Sequence, residues 1–540
     1  MGEHDVVIVG ARLAGTTAAA ELARRGRNVV VLDRSRFPSD TLSTHVLFGG
    51  GIDELRHMGA YDRIAALDPS YMRTLSIHFG DEVAVHERWG ACGQADYVWC
   101  IPRPLQDAAL VETAREHGAD IREGCEVLDV LWRGGRAAGV RYKDADGEVR
   151  ELQAKLVIGA DGRRSTIAAR VGAWTPYRAS KNGRGLVFRY IDDPQVDTPL
   201  NETLSQWRDG NSFCMVFPSA PRPRTIALVM GPAADVARAR KDPEGVWDEF
   251  LRRHPGFAER IAGATNIGKL RSTADVPAYF RSSSGPGWAL AGDAGHFKDP
   301  VIGNGQRDAL WMGRSLGEAA APVLDDPAAL DAALRRWEQA RDDECLSAYH
   351  FANGETRIQP QLRALIEVAH RSPGTGEPDL GDLFQRVRTQ QDVLPVSRLL
   401  RATVGAIRRR PREAGAILRE SLPELRTDLA VRAEIRARRF RSTRTIVGSE
   451  HPGWSWPAVP PRRDLAATGA ASADASGSTA PDATPTGDAK PAAAARSRAR
   501  RPAGAAKRTA ATAPERAAAT PSTPSTTSTP TPTTETQVPA

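Results

Sequence analysis

The chain of 540 residues lacks the cysteine pairs and the long apolar runs that mark disulfide-linked, zinc-binding and membrane proteins, and we expect no leader segment of the kind that marks secreted proteins. Its five cysteines are scattered, odd in number and without a C-x-x-C pair, which argues against a disulfide framework and a zinc site. No run of about 18 apolar residues occurs, so no transmembrane segment is predicted. The first strand is expected to begin at Asp5, which leaves no room for a signal peptide. We therefore expect a cytoplasmic protein.

Two further absences concern particular parts of the chain. No lysine precedes Lys143, and no aromatic residue follows Trp456. Residues 461–540 are mainly Ala, Pro, Thr and Ser, with a basic cluster over Arg496–Arg508. Such a segment cannot bury enough apolar area to offset its chain entropy, so we predict a disordered tail that can be removed after about Pro460. The net charge of +7 comes without a recognisable nucleic-acid motif, so no nucleic-acid partner is expected.

The first 33 residues read as strand, glycine turn, helix, strand and acid. An apolar run over Asp5–Val9 ends at Gly10, helix-forming residues fill Thr16–Arg25, and a second apolar run over Asn28–Leu32 ends at Asp33. The free N–H groups at the start of such a helix suit a pyrophosphate, and the terminal carboxylate suits a ribose. The pattern predicts an α/β dinucleotide-binding domain.

The glycine fingerprint of this domain departs from G-x-G-x-x-G. It reads Gly10-Ala11-Arg12-Leu13-Ala14-Gly15, with arginine in place of the glycine that lets the backbone approach the phosphates. We hypothesise that the guanidinium of Arg12 swings towards the phosphates instead.

Two later segments repeat the order of buried strand followed by turn. The run over Leu156–Gly159 leads into Asp161-Gly162. The run over Trp288–Ala291 leads into Gly292-Asp293, and a tight turn ending at Gly305 precedes a helix from Gln306. Helix starts of this kind present N–H groups to a negative charge.

In this order, the segments DVVIVGARLAG, VIGADGRRST and GWALAGDAGHFKDPVIGNG resemble the FAD-dependent monooxygenase superfamily. That superfamily includes para-hydroxybenzoate hydroxylase, geranylgeranyl reductases and flavin halogenases. The Gly-Ala-Arg variant of the fingerprint is found in one branch of it. The resemblance covers about residues 4 to 355.

The resemblance implies one non-covalently bound FAD and assigns roles around it. Asp293 would bind the ribityl chain, Arg103 the phosphates and the backbone of Val127 the adenine, while His45 would lie in a loop along the flavin. The helix start after Asn304 would face the N1/O2 edge of the reduced ring. No catalytic residue and no metal ligand is assigned. The predicted cofactor-binding residues are Gly10, Ala11, Arg12, Ala14, Gly15, Asp33, Arg34, Thr44, His45, Arg103, Val127, Asp161, Gly162, Gly292, Asp293, Pro300, Gly303, Asn304 and Gly305.

The order of the segments and the resemblance predict an α/β fold with a discontinuous Rossmann-like FAD-binding domain. This domain would comprise residues 1–75, 100–180 and 285–345. An inserted α+β substrate domain would comprise 76–99 and 181–284, followed by a C-terminal helical extension over 346–460 and the tail. The inserted part contains three predicted strands and a helix, over Leu186–Tyr190, Phe213–Phe217, Arg224–Met230 and Val246–Arg253.

Three chemistries share the fold that the resemblance implies. We favour a monooxygenase that uses NAD(P)H and O2 as co-substrates and inserts one oxygen atom into a small organic substrate through a flavin C4a-hydroperoxide. A second dinucleotide fingerprint is lacking, which fits transient contact with NAD(P)H. A reductase acting on alkenes, as the prenyl reductases do, is the alternative.

A halogenase and a non-catalytic flavoprotein are less favoured. Tyr97–Pro102 resembles the W-x-W-x-I-P motif of halogenases, but it lies directly before Arg103, earlier than in those enzymes, and no lysine precedes it. The substrate, oxidation at carbon or nitrogen, NADH or NADPH, the oligomeric state and the role of the basic tail stay open at this point.

Overall fold

The computed structural model describes residues 4–79, 83–181, 183–209, 211–355, 363–371, 380–440 and 456–461. The predicted disordered tail therefore lies outside the described residues, apart from Pro461. In chain order the strands of the described part are β1 (His4–Val9), β2 (Val29–Asp33), β3 (Val46–Leu47), β4 (Thr74–Phe79), β5 (Val83–Arg88), β6 (Trp99–Cys100), β7 (Asp120–Glu123), β8 (Glu126–Arg133), β9 (Arg136–Lys143), β10 (Val149–Gly159), β11 (Arg178–Ser180), β12 (Arg184–Asp192), β13 (Thr203–Asp209), β14 (Ser212–Pro218), β15 (Arg224–Pro232), β16 (Arg271–Thr273), β17 (Ala278–Phe280), β18 (Ser284–Gly285), β19 (Trp288–Leu290) and β20 (His296–Phe297).

Helices separate the strands of the first part of the chain and form most of the last part. They are α1 (Leu13–Arg24), α2 (Gly49–Met58), α3 (Tyr61–Ala65), α4 (Arg103–Glu116), α5 (Thr166–Arg170), α6 (Ala233–Arg238), α7 (Pro243–Arg253), α8 (Pro255–Arg260), α9 (Gly305–Ala320), α10 (Pro327–Glu355), α11 (Arg363–Arg371), α12 (Gly381–Gln385), α13 (Gln390–Val393), α14 (Val396–Arg409) and α15 (Ala414–Phe440).

The first sheet has the strand order β18-β19-β10-β1-β2-β7, with β9 and β8 continuing from β10. β1 pairs in parallel with β2 and β10, and β10 pairs in parallel with β19. The β1 run Val6–Val9 is fully buried, as a parallel strand covered on both faces should be. α1 and α9 pack together so closely that a Cβ on Gly313 would lie 2.4 Å from the carbonyl oxygen of Ala14. This confirms the predicted α/β fold with a Rossmann-like domain.

The carboxyl ends of the parallel strands meet at one edge of this sheet. Gly10 follows β1, Asp33 ends β2, Ala160 follows β10 and Ala291 follows β19. Ligands of open α/β sheets bind at this edge, in the crevice beyond the strand ends. The three sequence segments therefore converge because the sheet brings their strands together.

The second sheet has the order β16-β12-β15-β14-β13-β4-β5 and contains the predicted strands over 186–190, 213–217 and 224–230. Its pairs are antiparallel except for β13 with β4. One face packs against α7 and α8 through residues such as Val229 and Phe250. The other face, which includes Phe188 and Met215, packs towards the loops that join the first sheet. The sheet thus forms a wall beside the edge described above.

The last part of the described chain is helical from α10 onwards. The boundary expected between residues 345 and 346 falls inside α10, a continuous helix of 29 residues. The remaining helices α11–α15 follow, and several of their apolar side chains, such as Leu400 and Leu422, are exposed. Among the described residues, no helix has the length and apolar character needed to cross a membrane.

Candidate active site

The turn between β1 and α1 has no room for side chains at its glycines. Gly10 has φ +104°, and a Cβ there would lie 2.4 Å from the carbonyl oxygen of Ala160. A Cβ on Gly15 would lie 1.8 Å from the carbonyl oxygen of Gly10. The N-terminus of α1 carries no side-chain cap and no acid in its first turn. Its N–H groups and the positive end of its dipole therefore suit an anion such as a pyrophosphate.

Two arginines converge on one carboxylate beside this helix start. Arg103 donates to Asp107 from Nε at 2.9 Å and from Nη2 at 3.0 Å, and Arg12 contacts the same carboxylate. Arg12 also donates to the carbonyl oxygen and the hydroxyl of Ser39, each at 3.2 Å. Arg12 therefore bridges the start of α1 to α4 and to the Ser39 loop, and its contact with the phosphates stays a prediction. Two guanidiniums on one buried Asp107 leave a net positive charge, which suits phosphates.

The carboxylate at the end of β2 is held in one orientation by the backbone. Asp33 accepts hydrogen bonds from the N–H of Ala11 and the N–H of Ser35, both at 2.7 Å. Arg34 next to it is exposed. Val127 is buried on β8. Just before β8, the N–H of Cys125 donates to the carbonyl of Asp33 at 2.8 Å, which joins this strand to the end of β2. The predicted ribose and adenine positions are therefore neighbours in the fold.

The Asp161-Gly162 turn uses its carboxylate internally. Asp161 accepts hydrogen bonds from the hydroxyl of Ser165 at 2.5 Å and from the N–H groups of Thr166 and Ile167 at 2.6 and 3.2 Å. It therefore anchors the start of α5. Gly162 has φ +78°, and no atom lies within 4 Å of the position of a Cβ there.

The turn after β19 presents the carboxylate of Asp293, which, unlike that of Asp161, is not used to hold its own turn. Within the part of the chain that the structure describes, Asp293 makes no side-chain hydrogen bond, and burial raises the pKa of its carboxyl group. The preceding Gly292 has φ +58° and packs on the first helix, since a Cβ there would lie 2.9 Å from the Cβ of Ala14. The Asp293 side chain is partly exposed, so a ligand can reach its carboxylate, and the hydroxyls of a ribityl chain would supply the hydrogen bonds that it lacks.

The turn before α9 leaves no room for a side chain at one residue. Gly303 has φ +64°, and a Cβ there would lie 2.5 Å from Cγ1 of Val46. Asn304 is buried and donates to the carbonyl of Ile302 at 2.8 Å. Gly305 faces open space and has no positive φ, so the tight turn expected there lies two residues earlier, after Pro300–Ile302. The N-terminus of α9 has no side-chain cap, which leaves its N–H groups for a ligand.

The loop before β3 buries Thr44 and His45, the latter with φ +62°. His45 contacts the rings of both Phe188 and Tyr190, and its Nε2 is 3.2 Å from the Tyr190 hydroxyl. Its Nδ1 is buried and has no hydrogen-bond partner among the described residues. Burial, with repulsion from Arg103, lowers the pKa of His45 to about 3, so the ring is neutral at neutral pH.

The buried neutral His45 predicts a loss of stability in acid. The unfolded chain binds a proton at this ring below about pH 6.5, whereas the folded chain does not until about pH 3. The free energy of unfolding should therefore fall as the pH falls from about 6.5. His45→Gln should flatten this slope, as measured by denaturant unfolding between neutral pH and pH 4. An unchanged slope in His45→Gln would show that the histidine titrates normally.

A charged cluster that the sequence did not single out lies behind the α9 turn. Lys298 and Arg386 both contact the carboxylate of Asp308, and Arg307 and Arg386 contact Glu344 at 2.7 and 2.8 Å. Burial lowers the pKa of Lys298 to about 7. In the sequence, the only member of this cluster that lay within one of the three flavin segments at a position open to notice was Lys298, in the third segment.

The same cluster includes the closest match to a metal site in the described residues. Ligand atoms of His296, Asp308 and Cys345 lie within 4.8 Å of one another. However, Lys298 and Arg386 already occupy the Asp308 carboxylate, and their positive charges would repel a cation. We therefore assign no metal to this cluster.

Asp299 and Arg281 were also missed by the sequence. Burial raises the pKa of Asp299 to about 7, and its carboxylate accepts from the N–H of Val301 at 3.1 Å. Arg281 is completely buried and donates to carbonyl groups of both later segments. Arg281 stands in no recognisable motif, and Asp299 lies within the third segment beside Pro300, but only the fold shows that both side chains are buried.

The described residues thus fit FAD: two uncapped helix starts, glycines without room for Cβ atoms, a positive charge beside the first helix and an unpartnered Asp293. This fold and site define a flavin-dependent oxidoreductase. Residues 3–341 match the family described as "FAD binding domain". The chain therefore belongs to this family, within the FAD-dependent monooxygenase and oxidoreductase superfamily, as the resemblance indicated.

Similar proteins catalyse different reactions. The chain is 26% identical over 382 residues to digeranylgeranylglycerophospholipid reductase 2 of Methanopyrus kandleri, covering 68% of this chain and 91% of that protein. It is 23% identical over 403 residues to tryptophan 2-halogenase of Chondromyces crocatus, covering 70% and 74%. The crystal structure of PqsL, a probable FAD-dependent monooxygenase from Pseudomonas aeruginosa, superimposes with a TM-score of 0.54 at 18% identity, covering 66% and 98%. The similarity establishes flavin-dependent redox chemistry but not one reaction.

Proposed function

We propose that the protein is an NAD(P)H-using monooxygenase that inserts one oxygen atom of O2 into a small, largely apolar organic molecule. The balanced reaction consumes NAD(P)H, a proton, O2 and the substrate, and yields NAD(P)+, water and the oxygenated product. When bound, FAD supplies the hydride acceptor and the site of oxygen activation.

The observation that carries the proposal is the apolar wall of the second sheet. Phe188, Phe213, Met215 and Phe217 are buried on the face that packs towards Val301 and Ile302, which precede α9. Such a surface excludes water, which protects a reactive oxygen species from wasteful breakdown, and it orients apolar or aromatic substrates. We therefore propose residues 76–99 and 181–284 as the substrate domain.

The flavin-binding role is proposed for residues 1–75, 100–180 and 285–345. The start of α1, with Arg12 and Arg103, would bind the phosphates. Asp33 would bind the ribose and Asp293 the ribityl chain. The N–H groups at the start of α9 would stabilise negative charge on the reduced ring, because they are preorganised and uncapped.

A reductase that acts on alkenes is the second candidate. It is supported by the match to a reductase of prenyl lipids over 91% of that protein's length. The same apolar wall would accommodate an isoprenoid chain. A halogenase is disfavoured because no lysine precedes Lys143, and the position expected for its catalytic lysine is therefore vacant in the sequence.

An anaerobic single turnover separates the two candidates. The flavin is reduced first, and a substrate found by its acceleration of flavin reduction is then added with and without O2. A monooxygenase should give product only with O2, and mass spectrometry should find one atom of labelled dioxygen in it. Full product yield without O2 would overturn the monooxygenase and favour the reductase.

The proposal also covers the location of the protein and its contact with NAD(P)H. We propose a cytoplasmic location, because all five cysteines are free thiols and four of them are buried, as suits a reducing compartment. We also propose transient contact with NAD(P)H, because the chain has one dinucleotide fingerprint, which FAD would occupy.

A further inference from the structure

The segment Trp456–Pro461, named here the C-terminal strap, packs on the first domain far from its neighbours in sequence. Nε1 of Trp174 donates to the carbonyl of Pro457 at 2.8 Å. The guanidinium of Arg170 donates to the last two carbonyl groups of the strap, at 3.4 and 3.1 Å. These contacts hold the strap against the β10–β11 region, which includes the Asp161-Gly162 turn.

Beneath the strap, one arginine joins the two later flavin segments. Arg281 is 0% exposed and donates to the carbonyl groups of Trp174 at 2.9 Å, Ala294 at 3.0 Å and Arg163 at 3.2 Å. Arg163 directly follows the Asp161-Gly162 turn, and Ala294 directly follows Asp293. The position of each turn therefore depends on the same guanidinium.

Three aromatic rings surround this guanidinium. Its Cζ lies 4.6 Å from the ring centroids of Trp174 and Tyr279 and 5.3 Å from that of Trp456. Burial lowers the pKa of Arg281, so the rings must offset part of the cost of a buried charge. The Tyr279 hydroxyl donates to the carbonyl of Asp293 at 2.6 Å, and its ring meets that of Trp456 at 5.0 Å. Trp456 is the member of this cage that the strap supplies.

We propose that the C-terminal strap positions the flavin-binding turns through Trp456, which closes the aromatic cage over Arg281. With the cage closed, water does not compete for the bonds from Arg281 to Arg163 and Ala294. Both turns then hold the geometry that FAD requires. Trp456 is thus a positioning residue; the inference rests on flavin binding by this site and not on which substrate is oxidised.

Two truncated chains test the role of the strap directly. A chain ending at Pro461 keeps the strap and lacks only residues beyond it, whereas a chain ending at Ser455 also lacks the strap. The first should release FAD at the rate of the full chain, measured by the rise in flavin fluorescence on dilution. The second should release FAD about tenfold faster, the effect of losing one desolvated cation–π contact.

Point variants of the full chain keep the test valid if the shorter chain does not fold. Trp456→Ala should reproduce the faster release, and Trp456→Phe, which keeps a ring, should largely restore the slow rate. Trp132→Ala is the control, because this tryptophan is 45% exposed and lies outside the cage. Equal FAD release from all these chains would overturn the proposal.

Hydrogen exchange separates failure of the strap from failure of the flavin assignment. In protein without FAD, the amides of residues 161–165 and 292–296 should exchange faster in Trp456→Ala than in Trp132→Ala. This comparison holds whether or not the chain retains FAD. Equal exchange in the two variants would show that Trp456 does not position the turns.

Discussion

Gly15→Ala is expected to destabilise the Rossmann-like domain strongly and to abolish its flavin content. The added Cβ would lie 1.8 Å from the carbonyl oxygen of Gly10, and that oxygen belongs to the backbone of the turn. The turn cannot yield as a flexible side chain would, because Gly10 itself packs against Ala160. We expect a loss of about 3 kcal/mol or more in the free energy of unfolding, at the upper end of overpacking effects.

Gly354→Ala is the matched control for this prediction. Gly354 also lies in a helix, α10, but nothing is within 4 Å of the position of its Cβ. The substitution should be neutral or stabilise by up to about 1 kcal/mol, since alanine is the better helix former. Thermal unfolding and the ratio of flavin to protein absorbance would measure both variants. Equal stability of the two would mean that the α1 turn has room for a side chain.

Asp293→Asn is expected to weaken FAD binding about ten- to hundredfold without destabilising the protein that lacks FAD. A hydrogen bond to a charged group contributes about 1.5–3 kcal/mol, and this carboxylate has no other partner in the described structure. In the absence of ligand, removing a partly buried charge that accepts no hydrogen bond in the described structure should leave stability unchanged or raise it. The FAD dissociation constant and the melting temperature of the apoprotein are the measurements.

Asp33→Asn provides the contrast for Asp293→Asn. Asp33 accepts N–H bonds from Ala11 and Ser35, so an amide in its place loses at least one charge-assisted bond even without FAD. Asp33→Asn should therefore lower both the affinity for FAD and the melting temperature of the apoprotein. If Asp293→Asn lowers apoprotein stability as much as Asp33→Asn, then the Asp293 carboxylate is a structural group and not a ligand for the flavin.

The sequence placed the turn after β1 correctly, whereas it did not show which residue of the turn before α9 lacks room for a side chain. The positions of Gly10 and Asp33 could be predicted because both follow from the local pattern of strand, glycine turn, helix and strand. In the tight turn expected to end at Gly305, the residue that leaves no room for a side chain is Gly303, where Val46 approaches from a distant part of the chain. A contact between segments separated by more than 250 residues leaves no trace in the local pattern.

Side-chain partners were the least predictable feature of the site. Nothing in the sequence indicated that Arg12, which is predicted to contact the phosphates, would also contact Asp107 and bridge the start of α1 to α4. Likewise, the chain end expected to be dispensable after Pro460 includes one carbonyl, that of Pro461, which Arg170 binds. Which charges meet depends on how helices and strands pack, and only the folded chain decides this.

The sequence alone determined the α/β class, the order of the three flavin segments and the membership of an FAD-dependent superfamily. It could do so because strand, turn and helix signals are local, and because the chemistry of binding a dinucleotide requires glycines and acids at fixed spacings. The tertiary structure decided which carboxylate lacks a partner, which histidine is buried and neutral, and which arginine links two turns through a distant tryptophan. These depend on burial and on contacts between remote segments, because desolvation and charge pairing arise only when the chain is packed.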